Sequence, residues 1–291
     1  MKKFEGTVAV VTGGASGIGL ALARRFAAEG MSIVIGDRNS GTLNEARALL
    51  RECGASVLAV RCDVADATSL ASLCDSAYDR FGSVDLLCAN AGIAGPTGGL
   101  IWELPLDQWQ QVFDVNVFGV VNTLHAFVPR MLAAGTEGHI VVTGSITALT
   151  SKPATGSTGA AVYVASKHAL LAIAESMHQH LQMSRSKLSV SIVCPGAVKT
   201  RINEGKGVAE TSLGGILTIN PPFSPGASDS SASGPGTVVL DPAQIADRVV
   251  EAIRAKRLYV FTHADSKTRV MDAFRPVVDA LDEFDRASPS G

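Results

Sequence analysis

A tyrosine and a lysine four residues apart carry the strongest chemical signal in this sequence. Tyr163 and Lys167 stand in a stretch, residues 161–170, that contains no proline or glycine and is predicted to be helical. Four residues make about one helical turn, so the phenol and the amine share a face. A free tyrosine has a pKa of about 10. A neighbouring ammonium would lower that pKa and make the hydroxyl usable for proton transfer.

A glycine-rich turn near the N-terminus gives this pair a context. The apolar residues 8–11 lead into Gly13, Gly17 and Gly19, which are followed by an amphipathic segment. Glycines permit a tight turn and let the backbone approach a pyrophosphate, which then lies at the N-terminus of the helix. An ordinary tight turn would show the same glycines. Their position between a strand and a helix favours a dinucleotide site.

An acidic residue ends the second predicted strand, about 20 residues after the glycines. The carboxylate of Asp37 can accept a hydrogen bond from a ribose 2′-hydroxyl and would repel a 2′-phosphate, which favours NAD over NADP. Arg38 follows directly and could pair with a phosphate, so NADP remains possible. Other candidate ligand-binding residues follow the third and fourth strands: Asp63, Val64, Asn90, Ala91 and Gly92.

The apolar pattern predicts the elements that position these residues. Seven short, mostly continuous apolar runs are typical of buried parallel strands: residues 7–11, 32–36, 56–61, 85–89, 139–143, 189–194 and 258–262. Helix-length segments alternate with them: residues 17–29, 41–52, 67–81, 106–132, 161–183, 243–255 and 266–284. This alternation predicts one α/β domain, residues 1–291, with a doubly wound, seven-stranded parallel Rossmann sheet flanked by helices.

One long tract interrupts that alternation. Residues 201–237 are irregular and rich in Gly, Ser and Pro. Loops of this length in a compact domain usually have a function or lack order. We interpret the tract as a flexible substrate lid, with a tolerated surface insertion as the alternative.

Composition narrows the possible partners. The net charge of −2 gives no support for binding to nucleic acid or to an anionic membrane. The five cysteines and six histidines show no metal-ligand spacing, so no metal site is expected. No apolar run approaches the roughly 20 residues of a membrane span. We expect a soluble, cytoplasmic protein.

Taken together, these residues resemble the classical short-chain dehydrogenase/reductase family over nearly the whole chain. The motif residues occur in the family's order: Thr12, Gly13, Gly17, Gly19, Asp63, Asn90-Ala91-Gly92, Asn116, Ser145, Tyr163, Lys167 and Pro195-Gly196. The resemblance implies a catalytic tetrad of Asn116, Ser145, Tyr163 and Lys167.

The resemblance also implies a role for each member of the tetrad. Tyr163 would be the general acid/base at the substrate oxygen, which Ser145 would hold. Lys167 would lower the pKa of Tyr163 and bind the nicotinamide ribose, and Asn116 would help to hold a water in a proton relay. The implied cofactor site comprises Gly13, Ser16, Gly17, Ile18, Gly19, Asp37, Arg38, Asp63, Val64, Asn90, Ala91, Gly92, Tyr163, Lys167, Pro195, Gly196, Val198 and Thr200.

One departure from the family pattern concerns spacing. Ser145 and Tyr163 are 18 residues apart, several more than is usual in the family, and the additional length falls in residues 150–159. If this length displaces Ser145, Thr143 or Thr147 would be the replacement hydroxyl.

The predicted function is an NAD-dependent oxidoreductase that interconverts a secondary alcohol and a ketone. The candidate pocket residues are largely apolar, which favours a small or medium-sized apolar substrate: Ala94, Pro96, Ile146, Ala148, Pro153 and Ala197. A non-catalytic NAD(H) sensor or scaffold and an NADP-preferring ketone reductase are the alternatives. The family resemblance implies a homo-tetramer formed through the helices that carry Asn116 and Tyr163 and through the last strand. A homo-dimer is the alternative, because two-fold assembly is the usual arrangement of soluble enzymes.

Overall fold

The seven strands form one parallel sheet. The computed structural model of the chain describes residues 1, 3–95, 100–150, 161–200, 202 and 238–287. The strands are β1 (Val8–Thr12), β2 (Ser32–Asp37), β3 (Val57–Arg61), β4 (Leu86–Ala89), β5 (Gly138–Thr143), β6 (Leu188–Cys194) and β7 (Tyr259–Phe261). Their order is β3-β2-β1-β4-β5-β6-β7. The order reverses between β1 and β4, where open α/β sheets bind ligands at the carboxyl edge. The predicted Rossmann architecture is confirmed.

Within the described residues, eight α-helices cover the two faces of the sheet or extend from it. They are α1 (Gly17–Ala28), α2 (Ser40–Glu52), α3 (Ala67–Phe81), α4 (Leu106–Phe113), α5 (Gly119–Ala134), α6 (Ala161–Met183), α7 (Pro242–Ala255) and α8 (Ser266–Ala287). The predicted single helix over residues 106–132 is in fact α4 and α5 joined by a π-helical turn, Asp114–Phe118. A local π turn leaves little trace in hydrophobic periodicity, and such turns often occur at functional sites.

Alternate residues of each strand enter two separate cores. In β1, Ala9 and Val11 pack into one core while Val8 and Val10 pack into the other. The first core is completed by side chains of α1, α2 and α7: Leu22, Phe26, Leu50 and Ile253. The second is completed by side chains of α3, α5 and α6: Leu73, Phe127 and Leu170. Burial on both faces explains why the strands read as continuous apolar runs.

Short polar side chains determine where several helices begin. Asn39 accepts hydrogen bonds from the backbone N–H groups of Gly41 and Thr42, which starts α2. Asp241 and Gln244 form a reciprocal capping box at the start of α7, where Pro242 is the first helical residue. These caps satisfy N–H groups that lack a partner within the helix.

One helical stretch is long and apolar enough to be compared with a membrane span. Among the described residues, only Leu106–Ala134 meets that criterion by length and composition. Phe127 and Met131 of this stretch are buried against the sheet, and Asn116 lies in it. It therefore has the character of a core helix of the sheet and is no clear membrane span.

Two sequence predictions lie outside the described residues. The proposed lid, residues 201–237, is described only at Ile202, and the additional length before Tyr163 is described only at Thr150. Two of the candidate pocket residues, Pro96 and Pro153, also lie outside the described residues.

Candidate active site

Tyr163 and Ser145 meet at the carboxyl edge of the sheet. Ser145 follows the end of β5, where Gly144 N–H donates to the carbonyl of Val193 on β6 at 2.8 Å. Its hydroxyl accepts the backbone N–H of Thr147 at 3.2 Å and lies close enough to the phenol of Tyr163, in the first turn of α6, to influence the pKa of that phenol. The long spacing between the two residues therefore does not displace Ser145 from Tyr163.

Burial sets the resting state of the phenol. The pKa of Tyr163 is raised above 10.0 mainly by desolvation, and the nearby hydroxyl of Ser145 opposes that rise. The expected lowering by Lys167 is therefore not found in the chain alone. The physical reason is that removal from water disfavours the phenolate more than its neighbours favour it. Tyr163 rests as a neutral phenol that is able to donate a proton.

Lys167 is a buried amine beneath Tyr163. Its Nζ donates to the carbonyl oxygen of Thr143 at 2.9 Å and lies 5.5 Å from the centre of the Tyr163 ring. Burial lowers the pKa of Lys167 from 10.5 to about 8, with the nearby Cys194 acting weakly in the opposite direction. An amine with this pKa exchanges protons near neutral pH.

Asn116 holds the cleft together through both ends of its amide. Its Oδ1 accepts the N–H of Ile93 at 2.8 Å, and its Nδ2 donates to the carbonyl of Ile93 at 2.9 Å and to Ser166 Oγ at 3.0 Å. Ser166 in turn donates to the carbonyl of Tyr163 at 2.7 Å. Both Nδ2 protons are thus engaged in joining α6 to the segment after β4, and Oδ1 alone keeps a free acceptor site.

Gly92 lies between the side chains of Lys167 and Asn116. A Cβ atom on Gly92 would lie 3.3 Å from Asn116 Oδ1 and 3.6 Å from Lys167 Nζ. The absence of a side chain therefore keeps a small polar space between the amide and the amine. The structure places all four predicted catalytic residues around this one cleft.

The glycines after β1 leave a cradle that larger residues would fill. A Cβ on Gly13 would lie 2.9 Å from Ala91 Cα, and a Cβ on Gly19 would overlap the carbonyl oxygen of Gly13. Gly17 has a φ of +52°, and its missing Cβ would lie 3.3 Å from Thr200 Cγ2. These close approaches fit a site at which backbone groups contact a pyrophosphate at the start of α1.

Thr12 and Thr143 tie the cradle to the catalytic side of the cleft. The hydroxyl of Thr12 accepts the N–H of Asn90 at 3.0 Å, and Asn90 Nδ2 donates to the carbonyl of Thr12 at 3.0 Å. Asn90 Oδ1 accepts the hydroxyl of Thr143 at 3.0 Å, and the carbonyl of Thr143 accepts Lys167. Thr143 is therefore occupied and does not replace Ser145.

Asp37 lies at the end of β2 with its carboxylate fixed by backbone groups. One oxygen accepts the N–H of Ala15 at 3.3 Å and the other accepts the N–H of Asn39 at 3.1 Å. Arg38 is exposed. Asp63 accepts the N–H of Ala65 at 3.0 Å at the surface. Both carboxylates stand at the carboxyl edge of the sheet, as expected for cofactor contacts.

Several predicted cofactor residues lie wholly or partly in the apolar core. Val64 is buried in the core on the α3 side, while Ile18 and Val198 pack against the core on the α1 side. Ser16 is the N-cap residue of α1, and its side chain makes no capping hydrogen bond. Among the described residues, no cluster of three His, Cys, Asp or Glu side chains is placed to hold a metal ion.

Comparison with known proteins assigns this site to a family. The model of the short chain dehydrogenase family matches residues 7–210. The chain belongs to the short-chain dehydrogenase family. It is an oxidoreductase by that membership, and the family resemblance of the sequence is confirmed.

Members of the family match over nearly the full chain. The 1-deoxy-11-beta-hydroxypentalenate dehydrogenase of Streptomyces exfoliatus is 38% identical over 269 residues, which cover 92% of this chain and 87% of that protein. A crystal structure of a short chain dehydrogenase/reductase from Burkholderia phymatum in complex with NAD superposes with a TM-score of 0.81 at 33% identity and covers 97% of both chains.

A third family member is bound to a different cofactor. The alcohol dehydrogenase of the archaeon Thermococcus sibiricus, complexed with 5-hydroxy-NADP, has a TM-score of 0.65 at 26% identity and covers 88% of this chain and 95% of that chain. Similar folds thus accompany both NAD and an NADP derivative, so the fold alone does not decide between the two cofactors.

His263, one of the six histidines without metal-ligand spacing, supports the loop after β6. Its Nε2 lies 3.0 Å from the carbonyl of Ala197, and its Nδ1 accepts the N–H of Gly196 at 3.1 Å. Because a carbonyl only accepts, Nε2 carries the proton. Thr262 Oγ1 lies 2.7 Å from Nδ1. Separations of 67 and 66 residues along the chain hide these two contacts from the sequence.

Proposed function

We propose that this chain is an NAD-dependent dehydrogenase that interconverts a secondary alcohol and a ketone, with Tyr163 as the general acid/base. The observation that carries the proposal is that the hydroxyl of Ser145 lies beside the phenol of Tyr163, whose ring centre is 5.5 Å from the buried amine of Lys167. The bound nicotinamide would supply or accept the hydride. The residues of this chain supply orientation and proton transfer.

Each residue has a task that follows from its contacts. Ser145 is fixed by Thr147 N–H and can donate to the substrate oxygen while Tyr163 exchanges a proton with that oxygen. In the reducing direction the neutral phenol is the proton donor, which suits a pKa raised by burial. In the oxidising direction Tyr163 must first lose its proton, and we assign the exchange to Lys167, which has a pKa of about 8 and whose Nζ lies 5.5 Å from the centre of the Tyr163 ring.

The preference for NAD rests on Asp37. Two backbone N–H groups hold its carboxylate rigidly at the end of β2. A fixed anion there favours the 2′-hydroxyl of NAD and repels the 2′-phosphate of NADP. The exposed Arg38 next to it is the feature that favours the alternative, an NADP-preferring ketone reductase.

The proposed substrate is a small or medium-sized, largely apolar alcohol. Ile146 and Ala148 are buried just beyond Ser145, so the surroundings of the reacting oxygen on that side are apolar. The name of the Streptomyces relative includes both a hydroxyl and a carboxylate. Lys199 is exposed after β6 and makes a carboxylate on the substrate the second possibility. A soluble cytoplasmic enzyme, assembled as a homo-oligomer, belongs to the same proposal.

Substitution of Tyr163 by phenylalanine tests the chemistry. We expect Tyr163→Phe to lose at least about 10²-fold in kcat with a panel of secondary alcohols, because the proton donor is gone. NADH binding, measured by its fluorescence, should persist. Tyr78→Phe is the matched control, since Tyr78 lies on α3 and its hydroxyl has no hydrogen-bond partner among the described residues.

Three outcomes separate the candidate functions. If the wild type turns over an alcohol and Tyr163→Phe does so at a similar rate, Tyr163 takes no part in the proton transfer. NADH binding without turnover of any alcohol or ketone would favour the sensor or scaffold. Turnover with NADPH in preference to NADH would favour the NADP-dependent reductase.

A further inference from the structure

Two residues of α5 hold the segment that follows β3. Nδ2 of Asn122 donates a hydrogen bond to the carbonyl oxygen of Val64 at 3.2 Å. Three residues earlier in the helix, a Cβ atom on Gly119 would lie 2.7 Å from Val64 Cγ2. Residues three apart share one face of a helix. One face of α5 therefore approaches the side chain of Val64 closely and also binds its backbone.

The other side-chain hydrogen bonds of this segment are local. Ser69 Oγ, on α3, accepts the N–H of Asp63 at 3.1 Å, and Asp63 Oδ1 accepts the N–H of Ala65 at 3.0 Å. These bonds join residues six and two positions apart in the chain. Asn122 and Val64 are 58 positions apart. The bond from Asn122 is therefore the one that fixes the position of the segment relative to α5.

The segment lies next to Asp37 in the sheet. The N–H of Cys62, just before the segment, donates to the carbonyl oxygen of Asp37 at 2.9 Å. The strand order β3-β2-β1 places the end of β2 between the glycine turn after β1 and the segment after β3. In the proposed site the pyrophosphate lies at β1 and the adenosine ribose at Asp37. The adenine base, bonded to that ribose, should then lie near residues 63–65.

The hydrogen bonds between described residues leave one donor and one acceptor of this segment available. The carbonyl of Val64 is occupied by Asn122, whereas no described residue accepts the N–H of Val64. Asp63 is exposed, and only its Oδ1 accepts a hydrogen bond from a described residue. Adenine presents an amino group that donates and ring nitrogens that accept. The segment is therefore complementary to the base as long as it stays in position.

From these contacts we propose that Asn122 is a positioning residue for the adenine end of the cofactor. It acts through Val64, whose carbonyl it holds and whose N–H it leaves available to the base. The inference rests on the proposed function, since it requires a nicotinamide dinucleotide bound at Asp37. Asn116 lies in the π turn directly before α5. One continuous stretch of helix would thus serve both the catalytic end and the adenine end of the cleft.

Two variants of Asn122 and the two halves of the cofactor test this role. Asn122→Leu removes the donor at similar volume. Asn122→Asp keeps the shape and places an oxygen against the carbonyl of Val64. NADH fluorescence measures binding of the whole cofactor, and displacement of NADH by AMP or by nicotinamide mononucleotide measures each half separately. Asn44→Leu is the matched control, because Asn44 is exposed on α2.

Both Asn122 variants should bind the adenine half more weakly. We expect Asn122→Leu to raise the Kd of NADH and of AMP by about 3- to 10-fold, as the loss of one hydrogen bond implies, and Asn122→Asp to raise them at least as much. The Kd of nicotinamide mononucleotide should stay at the wild-type value. In turnover the effect should appear in KM for NAD and not in kcat. Asn44→Leu should bind all three ligands like the wild type.

Three results would overturn the inference. AMP bound by both Asn122 variants as tightly as by the wild type would show that Val64 needs no anchor on α5. Equal weakening of AMP and nicotinamide mononucleotide would show a general disturbance of the fold. A wild type that binds neither NADH nor AMP would refute the proposed function as well, whereas the first two results refute only the role of Asn122. The melting temperature without nucleotide shows whether each variant is folded, and Asn122→Asp decides if leucine does not fit.

Discussion

Replacement of Lys167 by methionine should abolish turnover and yet not weaken the fold. Lys167 is only 3% exposed, and burial lowers its pKa from 10.5 to about 8. A depressed lysine pKa means that the folded state disfavours the ammonium, here by about 3 kcal/mol. Methionine fills a similar volume without charge and removes that cost. It leaves the carbonyl of Thr143 without its donor, which costs about 1–3 kcal/mol.

The net change at pH 7 is therefore a gain in the free energy of unfolding of about 0–2 kcal/mol. The dependence on pH is a sharper test. Between pH 8 and 10.5 the unfolded chain retains a proton on Lys167 that the folded chain has lost. The wild type should consequently gain stability relative to Lys167→Met by about 1.4 kcal/mol per pH unit in that window. Below pH 8 the difference should be constant.

Urea unfolding of both proteins at pH 7, 8, 9 and 10 measures this difference directly. Lys187→Met is the control for the loss of a lysine side chain that is exposed to solvent. A stability difference that stays flat from pH 8 to pH 10 would refute the claim that burial depresses the pKa of this amine. Turnover retained by Lys167→Met would refute its role in proton exchange.

Three further substitutions test the cofactor side of the cleft. Asp37→Ala should shift the ratio of kcat/KM for NAD and NADP toward NADP by about 10-fold or more, because a hydrogen bond to a charged group is lost. An unchanged ratio would contradict the contact with the 2′-hydroxyl. Gly19→Ala should greatly weaken NADH binding in a fluorescence titration, because its Cβ would overlap the carbonyl of Gly13; binding equal to wild type would show that the loop can move. His263→Leu should raise KM for NAD several-fold, because the loop after β6 loses its two hydrogen bonds to the imidazole. His263→Gln keeps an acceptor and a donor, so its KM should stay near that of the wild type. Equal effects of both variants would show that His263 contributes packing alone.

The sheet was predictable because burial on both faces requires continuous apolar strands. Residues such as Val10, Ile33 and Ile140 are buried and belong to continuous apolar runs. A strand with one face in solvent would instead alternate apolar and polar residues. The Tyr163–Lys167 pair and the glycine turn were predictable for a related reason. Each depends on spacing within a single element, which the sequence records directly.

Features that join distant segments were less predictable. The bonds of His263 to Gly196 and Ala197 depend on how β7 lies beside β6, and no local pattern encodes them. The sign of the pKa shift of Tyr163 depends on its burial, whereas sequence spacing reports only the nearby amine. The helix over residues 266–284 was predicted from its periodicity, but periodicity does not show whether an apolar stripe faces the protein or solvent.

The π turn at Asp114–Phe118 separates the position of Asn116 from the packing of the helix that follows it. A π turn holds one more residue than the α-helical turn that would replace it. Deletion of a single residue there would convert it to an α turn and leave the residues of α5 facing nearly as before, whereas a deletion in the first turn of α5 would rotate everything that follows by about 100°. Phe127 and Met131, which are buried, would keep their packing in the first case and turn away from the core in the second. Loss of the π turn would therefore displace Asn116 while sparing the core.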